Sequence, residues 1–217
     1  MCFSAPASFV AGAVLSSAGV ITLKKVKNKK QIPLALVPLL FGIQQIIEGF
    51  VWLSFGWGIP KINLVATYGF TFFSHVLWPI FIPIAVFLVE TDARRKKIIM
   101  FCGALGLIAG FYALLLMILF PVTSQINCNS VQYVFSSLGL PFFIHGALYL
   151  IATCLVCLIS SHRLIKLLGV ATTIFLIISY YFYTVTFASV WCFFSAILSL
   201  IIYLFIKQSG ARRKKIK

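Results

Sequence analysis

The stretch LLGVATTIFLIISYYFYTVTFASVWCFFSAILSLIIYLFI, residues 167–206, runs for 40 residues without one charged side chain. A membrane-crossing helix takes about 20 apolar residues, so this run has room for two. Its flanks decide between one crossing and two. Arg163 and Lys166 precede it and Lys207 follows it, and short loops rich in Lys and Arg stay on the cytoplasmic side of a membrane. Both ends therefore belong on the same side. The run crosses twice, with its turn expected near Thr184–Ser189.

The same test extends to the whole chain. Five more apolar runs occupy residues 3–23, 33–55, 64–89, 98–120 and 141–160, and the split of the long run gives 167–184 and 188–206. Lys24, Lys25, Lys27, Lys29 and Lys30 separate the first two runs, Arg94 to Lys97 follow the third, and Arg212 to Lys217 lie in the tail. With seven crossings, 17 of the 18 Lys and Arg residues share one side and only Lys61 falls on the other. The fold class is therefore expected to be all-α, an integral membrane bundle of seven transmembrane helices. Its N-terminus is outside and its C-terminus cytoplasmic. Residues 1–207 form a single domain and 208–217 a basic cytoplasmic tail.

Composition agrees. Hydrophobic residues make up 62% of 217, and the acidic residues number three: Glu48, Glu90 and Asp92. In a soluble protein a net charge of +15 would suggest nucleic acid. Here the basic blocks alternate with runs of membrane-crossing length, which assigns them to topology and to anionic headgroups at the cytoplasmic face. The expected partners are membrane lipids, with no nucleic acid. A secretion signal carries its positive charges before its apolar stretch, whereas here they come after it, so the first run is expected to stay as a helix. Ser4 and Pro6 suit its start, as capping residue and fixed φ. Gly103, Gly106 and Gly110 on the fourth run suit close packing inside the bundle, and Pro79 and Pro83 should kink the third.

Ionisable side chains are costly in hydrocarbon and mark interior sites. Glu48 lies 15 residues beyond Pro33, roughly 22 Å along a helix. The i, i+4, i+8 spacing places Gln44, Glu48 and Trp52 on one face, with Gln45 beside them. Thr67, Thr71 and His75 share a face of the third run in the same way, with Ser74 and Trp78 adjacent, and His145 starts the fifth. Glu48, His75 and His145 point to one polar pocket opening outward, and they suit zinc or a similar divalent ion. His162, in a basic loop, reads as a solvated or headgroup residue. Cys102, Cys154 and Cys157 read as small core residues. Cys2, Cys128 and Cys192 map to the outer side, where two of the three could pair as a disulfide. Cys2, behind a removable Met1, is also a candidate ligand with its free amine.

The motifs MCFSAPASF (1–9), PLLFGIQQIIEGFVWL (38–53), SHVLWPIFIPIA (74–85) and SVWCFF (189–194) resemble a family of uncharacterised multi-pass membrane proteins, chiefly bacterial. Its members begin Met-Cys-aromatic-Ser-Ala-x-Ala-Ser and carry Gln-x-x-Glu-Gly in the second helix. The resemblance implies a bacterial inner-membrane location, with Cys2, Ser4, Gln45, Glu48, His75, Trp191 and Cys192 as marked positions. A weaker resemblance, in helix number, is to seven-helix hydrolases of the alkaline ceramidase and adiponectin-receptor superfamily.

Two functions are in view. One is a metal-dependent membrane hydrolase acting on a lipid-like substrate. Glu48, His75, His145 and Cys2 would hold the metal, which lowers the pKa of bound water. Glu48, His75 and Ser74 would serve catalysis, and Gln44, Gln45, Trp52 and Trp78 would bind substrate. The other is a small-solute or proton-coupled transporter or sensor, with Glu48 and His75 as the binding pair.

Overall fold

The computed structural model describes residues 4–127, 130–135 and 142–214. Helix α1 (Ala5–Lys24) starts as expected: Ser4 is the N-cap, its hydroxyl accepts from the Ala7 N–H at 3.4 Å, and Pro6 lies in the first turn. Cys2 falls outside the described residues. A 3-10 turn, Lys29–Gln31, leads into α2 (Ile32–Trp57), which ends on Gly58 at φ 63°, a left-handed cap that glycine adopts without strain. Helices α3 (Pro60–Thr71) and α4 (Trp78–Val89) are joined by a π-helical turn, Phe72–Leu77. Helix α5 (Ala93–Leu119) follows, then strands β1 (Val122–Asn127) and β2 (Ser130–Phe135). A second π turn, Ile151–Leu155, joins α6 (Phe142–Leu150) to α7 (Val156–Ile159). Helices α8 (Arg163–Phe182), α9 (Phe187–Leu198) and α10 (Leu200–Lys214) complete the chain.

Among the described residues, six helical rods are long and apolar enough to cross a membrane: Ala5–Lys24, Lys29–Trp57, Pro60–Val89, Ala93–Leu119, Arg163–Phe182 and Ser189–Ser209. The seventh apolar rod, Ile144–Ile159, is shorter. The long run divides where its flanks require, at a 3-10 turn over Thr184–Thr186. Large apolar side chains such as Val10, Val65, Phe111 and Ile118 point outward, while Gln44, Gln45 and Glu48 are fully buried. This is the polarity of a bundle whose solvent is lipid.

Close packing relies on small residues. At Gly42 of α2 an added Cβ would meet the Ser16 backbone nitrogen of α1 at 2.6 Å. At Gly106 of α5 it would meet the Pro79 carbonyl oxygen at 2.1 Å and the Ala152 Cβ at 2.7 Å. The expected glycine stripe therefore packs inside the bundle. Pro79 has no N–H to continue the α-helical ladder, and the chain widens just before it. The Trp78 N–H reaches Phe73 O, five residues back.

The segment after α5, which falls between two apolar runs, is an antiparallel hairpin in register from Val122↔Phe135 to Asn127↔Ser130. Its turn residues, Cys128 and Asn129, lie outside the described residues. The hairpin packs inward. Val131 is buried with Val51 and Ala66, Val122 with Val76, Ala113 and Met117, and Tyr133 stacks on Phe70 at 4.3 Å. Polar bonds fasten it to α3: Thr67 Oγ1 donates to Ser124 Oγ at 2.7 Å, and Ser124 Oγ donates to Asn63 Oδ1 at 3.2 Å.

The opposite end is tied by Glu90. Its Oε1 accepts from the N–H groups of Thr91 and Asp92 at 2.8 and 3.0 Å and from Ser161 Oγ at 2.5 Å. Its Oε2 accepts from Ser160 Oγ at 3.0 Å and the Ser161 N–H at 2.7 Å. Arg95 donates to Ile159 O and Ser160 O, both at 2.9 Å. His162, expected to be solvated, is half-buried. Its Nε2 donates to Val89 O at 2.9 Å and its ring meets Phe205 edge-on. Burial by itself would raise the Glu90 pKa, but the Ser161 hydroxyl and the N–H groups of Asp92, Ser161 and Thr91 outweigh it, bringing the value from 4.5 down to about 2.

Two outcomes follow from this packing. Gly106→Leu should cost about 3 kcal/mol, because the added atoms meet backbone. Gly56→Ala, in open space, should change stability by no more than about 1 kcal/mol; thermal unfolding of the purified variants checks both. A lowered carboxyl pKa stabilises the fold fully above 4.5, and that contribution disappears as pH falls toward about 2. Wild-type melting temperature should therefore drop through that window. Glu90→Gln should start lower at neutral pH and fall less.

Candidate functional site

Glu48 occupies the middle of an apolar helix and has no exposed surface. Helix α9 answers it: Ser189 Oγ donates to Glu48 Oε1 at 2.5 Å across 141 residues of sequence. One turn earlier on α2, Gln44 Oε1 accepts from the Trp78 indole N–H at 2.7 Å. Trp78 in turn stacks on Phe41 at 3.9 Å. Cys192, one turn beyond Ser189, places its thiol beside the Gln44 amide and near Glu48. The spacing that put Gln44 and Glu48 on one face thus holds, and the partners come from α4 and α9. Gln45 is also fully buried. Trp52 lies farther along α2, packed with Val51, Ala66 and Val131 beneath the hairpin.

Ser189 opens the SVWCFF motif, but it is not among the marked positions or candidate site residues of the sequence reading. The signal available was its place one turn before Cys192, in a segment whose face pattern brings both toward α2.

His75 belongs to a second cluster. Its Nδ1 lies 2.7 Å from Ser74 Oγ, and Ser74 Oγ donates to Thr71 O at 3.2 Å. Both bonds are met together when Nδ1 carries the proton, and the Thr71 carbonyl also faces the ring. In that tautomer His75 donates to Ser74; with Nδ1 bare, Ser74 donates to His75 as a nucleophile does to its base. The ring lies against Phe135 of β2 at 5.1 Å and stacks with His145 at 6.4 Å, with Tyr112 at 6.0 Å from His145. Among the described residues, no three His, Cys, Asp or Glu side chains form a group that could hold a metal ion. Contacts thus join Glu48, Ser189, Gln44, Trp78 and Cys192 across α2, α4 and α9, and Ser74, His75 and His145 beside the hairpin. The expected shared face of Thr67 and His75 meets the hairpin, Thr67 through Ser124 of β1 and His75 through Phe135 of β2.

The site is closed rather than open to the outside. The hairpin covers the end of α2 and α3 nearest Glu48, through the Val131–Val51–Ala66 contact. On the other side of the cluster lies a small cavity of about 50 Å³ that includes Trp78, Tyr149, Thr153, Thr172, Cys192 and Ser195 in its walls. That volume holds a few water molecules. Trp191 frames it and donates its indole N–H to Thr172 O at 3.3 Å. Cys192 is a free, buried thiol, as are Cys102, Cys154 and Cys157. It is therefore not disulfide-bonded here, and the other two disulfide candidates, Cys2 and Cys128, lie outside the described residues.

A bundle of long apolar helices with a carboxyl group sealed in its interior is a multi-pass membrane protein. The chain belongs to a family of unknown function (DUF6629), whose model matches residues 1–216. No curated protein and no solved structure matches it, so the resemblance to ceramidase and adiponectin-receptor hydrolases gains no support.

The Ser189 bond should be measurable. Ser189→Ala leaves a buried carboxyl oxygen without that donor and should cost about 2 kcal/mol. Ser189→Thr, which keeps the hydroxyl, should retain most of it, as read from paired thermal melts.

Proposed function

We propose that this protein is a proton- or small-solute-handling membrane protein, a transporter or sensor, in which Glu48 is the group that changes state. The bundle crosses the cell membrane seven times, with Ile144–Ile159 as the fifth span, the N-terminus outside and the basic loops cytoplasmic. The support for that topology is the one-sided distribution of Lys and Arg and the meeting of residues 28–31, 88–96, 161–164 and 205–209 around one end of the bundle.

The observation that carries the functional reading is the small cavity abutting the Glu48 layer. A buried carboxyl, a hydroxyl, an amide and a thiol lead into a space lined by further hydroxyls. Protons and small polar solutes use such a chain in hydrocarbon, where each polar group is costly unless it binds something. The hairpin closes the outer side, and Leu168 together with residues near Phe205 closes the inner, as an occluded state requires. The hydrolase reading draws less support, because the described residues hold no group of three His, Cys, Asp or Glu side chains suited to a metal ion.

Trp78 reports on the site directly, through its bond to Gln44. Tryptophan emission of the wild type should change as pH is varied, and Glu48→Gln should remove that component. In proteoliposomes the same substitution should abolish proton movement down an imposed gradient. Identical titrations and identical proton flux in the two proteins would overturn the proposal.

A further inference from the structure

At the end of the bundle away from the hairpin lies a second cavity, of about 880 Å³, within the range of about 300–1,000 Å³ that ligand pockets occupy. Three loops and the start of the tail build it. Lys30 precedes α2, Lys96 stands in the first turn of α5, Arg163 begins α8, and Gln208 and Ser209 come from α10. Three cationic side chains thus reach one space from three separate helix starts, whose own partial charge is positive.

The cavity's carboxylate is Glu90, and it is occupied. Both oxygens are filled by five hydrogen bonds from residues 91, 92, 160 and 161, and among the described residues no ion pair joins it to Lys30, Lys96 or Arg163. Glu90 is therefore one negative charge against three positive ones, Lys30, Lys96 and Arg163, and the lining is net positive. Lys96 is half-buried and lies over the Phe87 ring at 5.3 Å. Asn28 and Gln31 add amide donors at the rim, and Leu88, Leu164 and Phe205 form an apolar wall. An anion entering the cavity would meet this positive lining and an apolar wall together.

We propose that this cavity binds a phosphate-bearing anion, with Lys30, Lys96 and Arg163 contacting the phosphate and the apolar wall receiving the carbon part of the molecule. The shared chemistry is a phosphate ester. Its source is either the headgroup of an anionic phospholipid, set where basic pockets between membrane helices take such headgroups, or a soluble phosphorylated compound. The site is distinct from the Glu48 cluster, so the two proposals stand or fall separately.

The test uses the full chain purified in neutral detergent, melted with four probes: phosphatidylglycerol in mixed micelles, phosphatidylcholine in mixed micelles, glycerol 3-phosphate and inorganic phosphate. At about 100-fold over half-saturation, a bound probe should raise the melting temperature by about 5 °C. A rise with phosphatidylglycerol alone assigns a lipid headgroup, and a rise with the soluble phosphates as well assigns a soluble source. No rise beyond phosphatidylcholine with any probe overturns the proposal. The double variant Lys30→Gln, Arg163→Gln should weaken binding by at least about tenfold. The pair Lys24→Gln, Lys97→Gln, exposed near the same end but outside the cavity, should leave it intact. Equal losses in both pairs would mean general surface charge and would also overturn it. The melting temperatures without probe confirm that both variants fold.

Discussion

The hydrogen bond from Ser189 to Glu48 is the constraint around which the bundle is arranged. Hydrocarbon offers a carboxyl group no water, so the protein itself must supply every partner. That requirement brings α9 against α2 at a fixed height and rotation. Once they are set, Cys192 falls beside Gln44, Gln44 meets Trp78, and Trp78 stacks on Phe41. A single line of polar contacts therefore joins α2, α4 and α9. The small cavity lies where this line meets the hydroxyls of α8 and α9, because hydroxyl-bearing side chains there leave space that apolar ones would fill.

The two ends of the bundle are closed by different chemistry. At the hairpin end, neutral groups form a chain: Asn63 Nδ2 donates to Ser54 Oγ at 2.9 Å, and Ser124 and Thr67 complete it. At the basic end, Glu90 and Asp92 both turn to backbone N–H groups. Asp92 caps α5 by accepting from the Arg95 N–H at 2.9 Å. Two of the three acidic side chains are thereby committed to shaping loops. Their positive neighbours are left to face water, headgroups or a ligand, and the bundle keeps a strong charge asymmetry from end to end.

Much of this was legible in the residues. The helices follow from apolar run lengths, the break after Phe182 from the basic flanks, and the start of α1 from Ser4 and Pro6. The burial of Gln44, Gln45 and Glu48 follows from their shared helical face. The position of His75 was not legible in that way. Its face was, since it shares the hairpin side with Thr67, but its neighbours Phe135 and His145 come from segments far along the chain. The hairpin was hidden for a related reason. Its alternation of Val131, Tyr133 and Phe135 is short, and its value lies in burying those side chains against helices distant in sequence.

By itself, then, the sequence determined that this chain lives in lipid, where its helices begin and end, and which polar side chains must turn inward. Run length, charge placement and helical periodicity are local properties, and each can be read one segment at a time. Tertiary structure alone decided which inward groups meet. Glu48 met Ser189, the cysteine at 192 became a buried neighbour of Gln44, and Lys30, Lys96 and Arg163 came to share one cavity. Those pairings depend on helix rotation and on two π turns, quantities set by close packing between segments far apart in the chain.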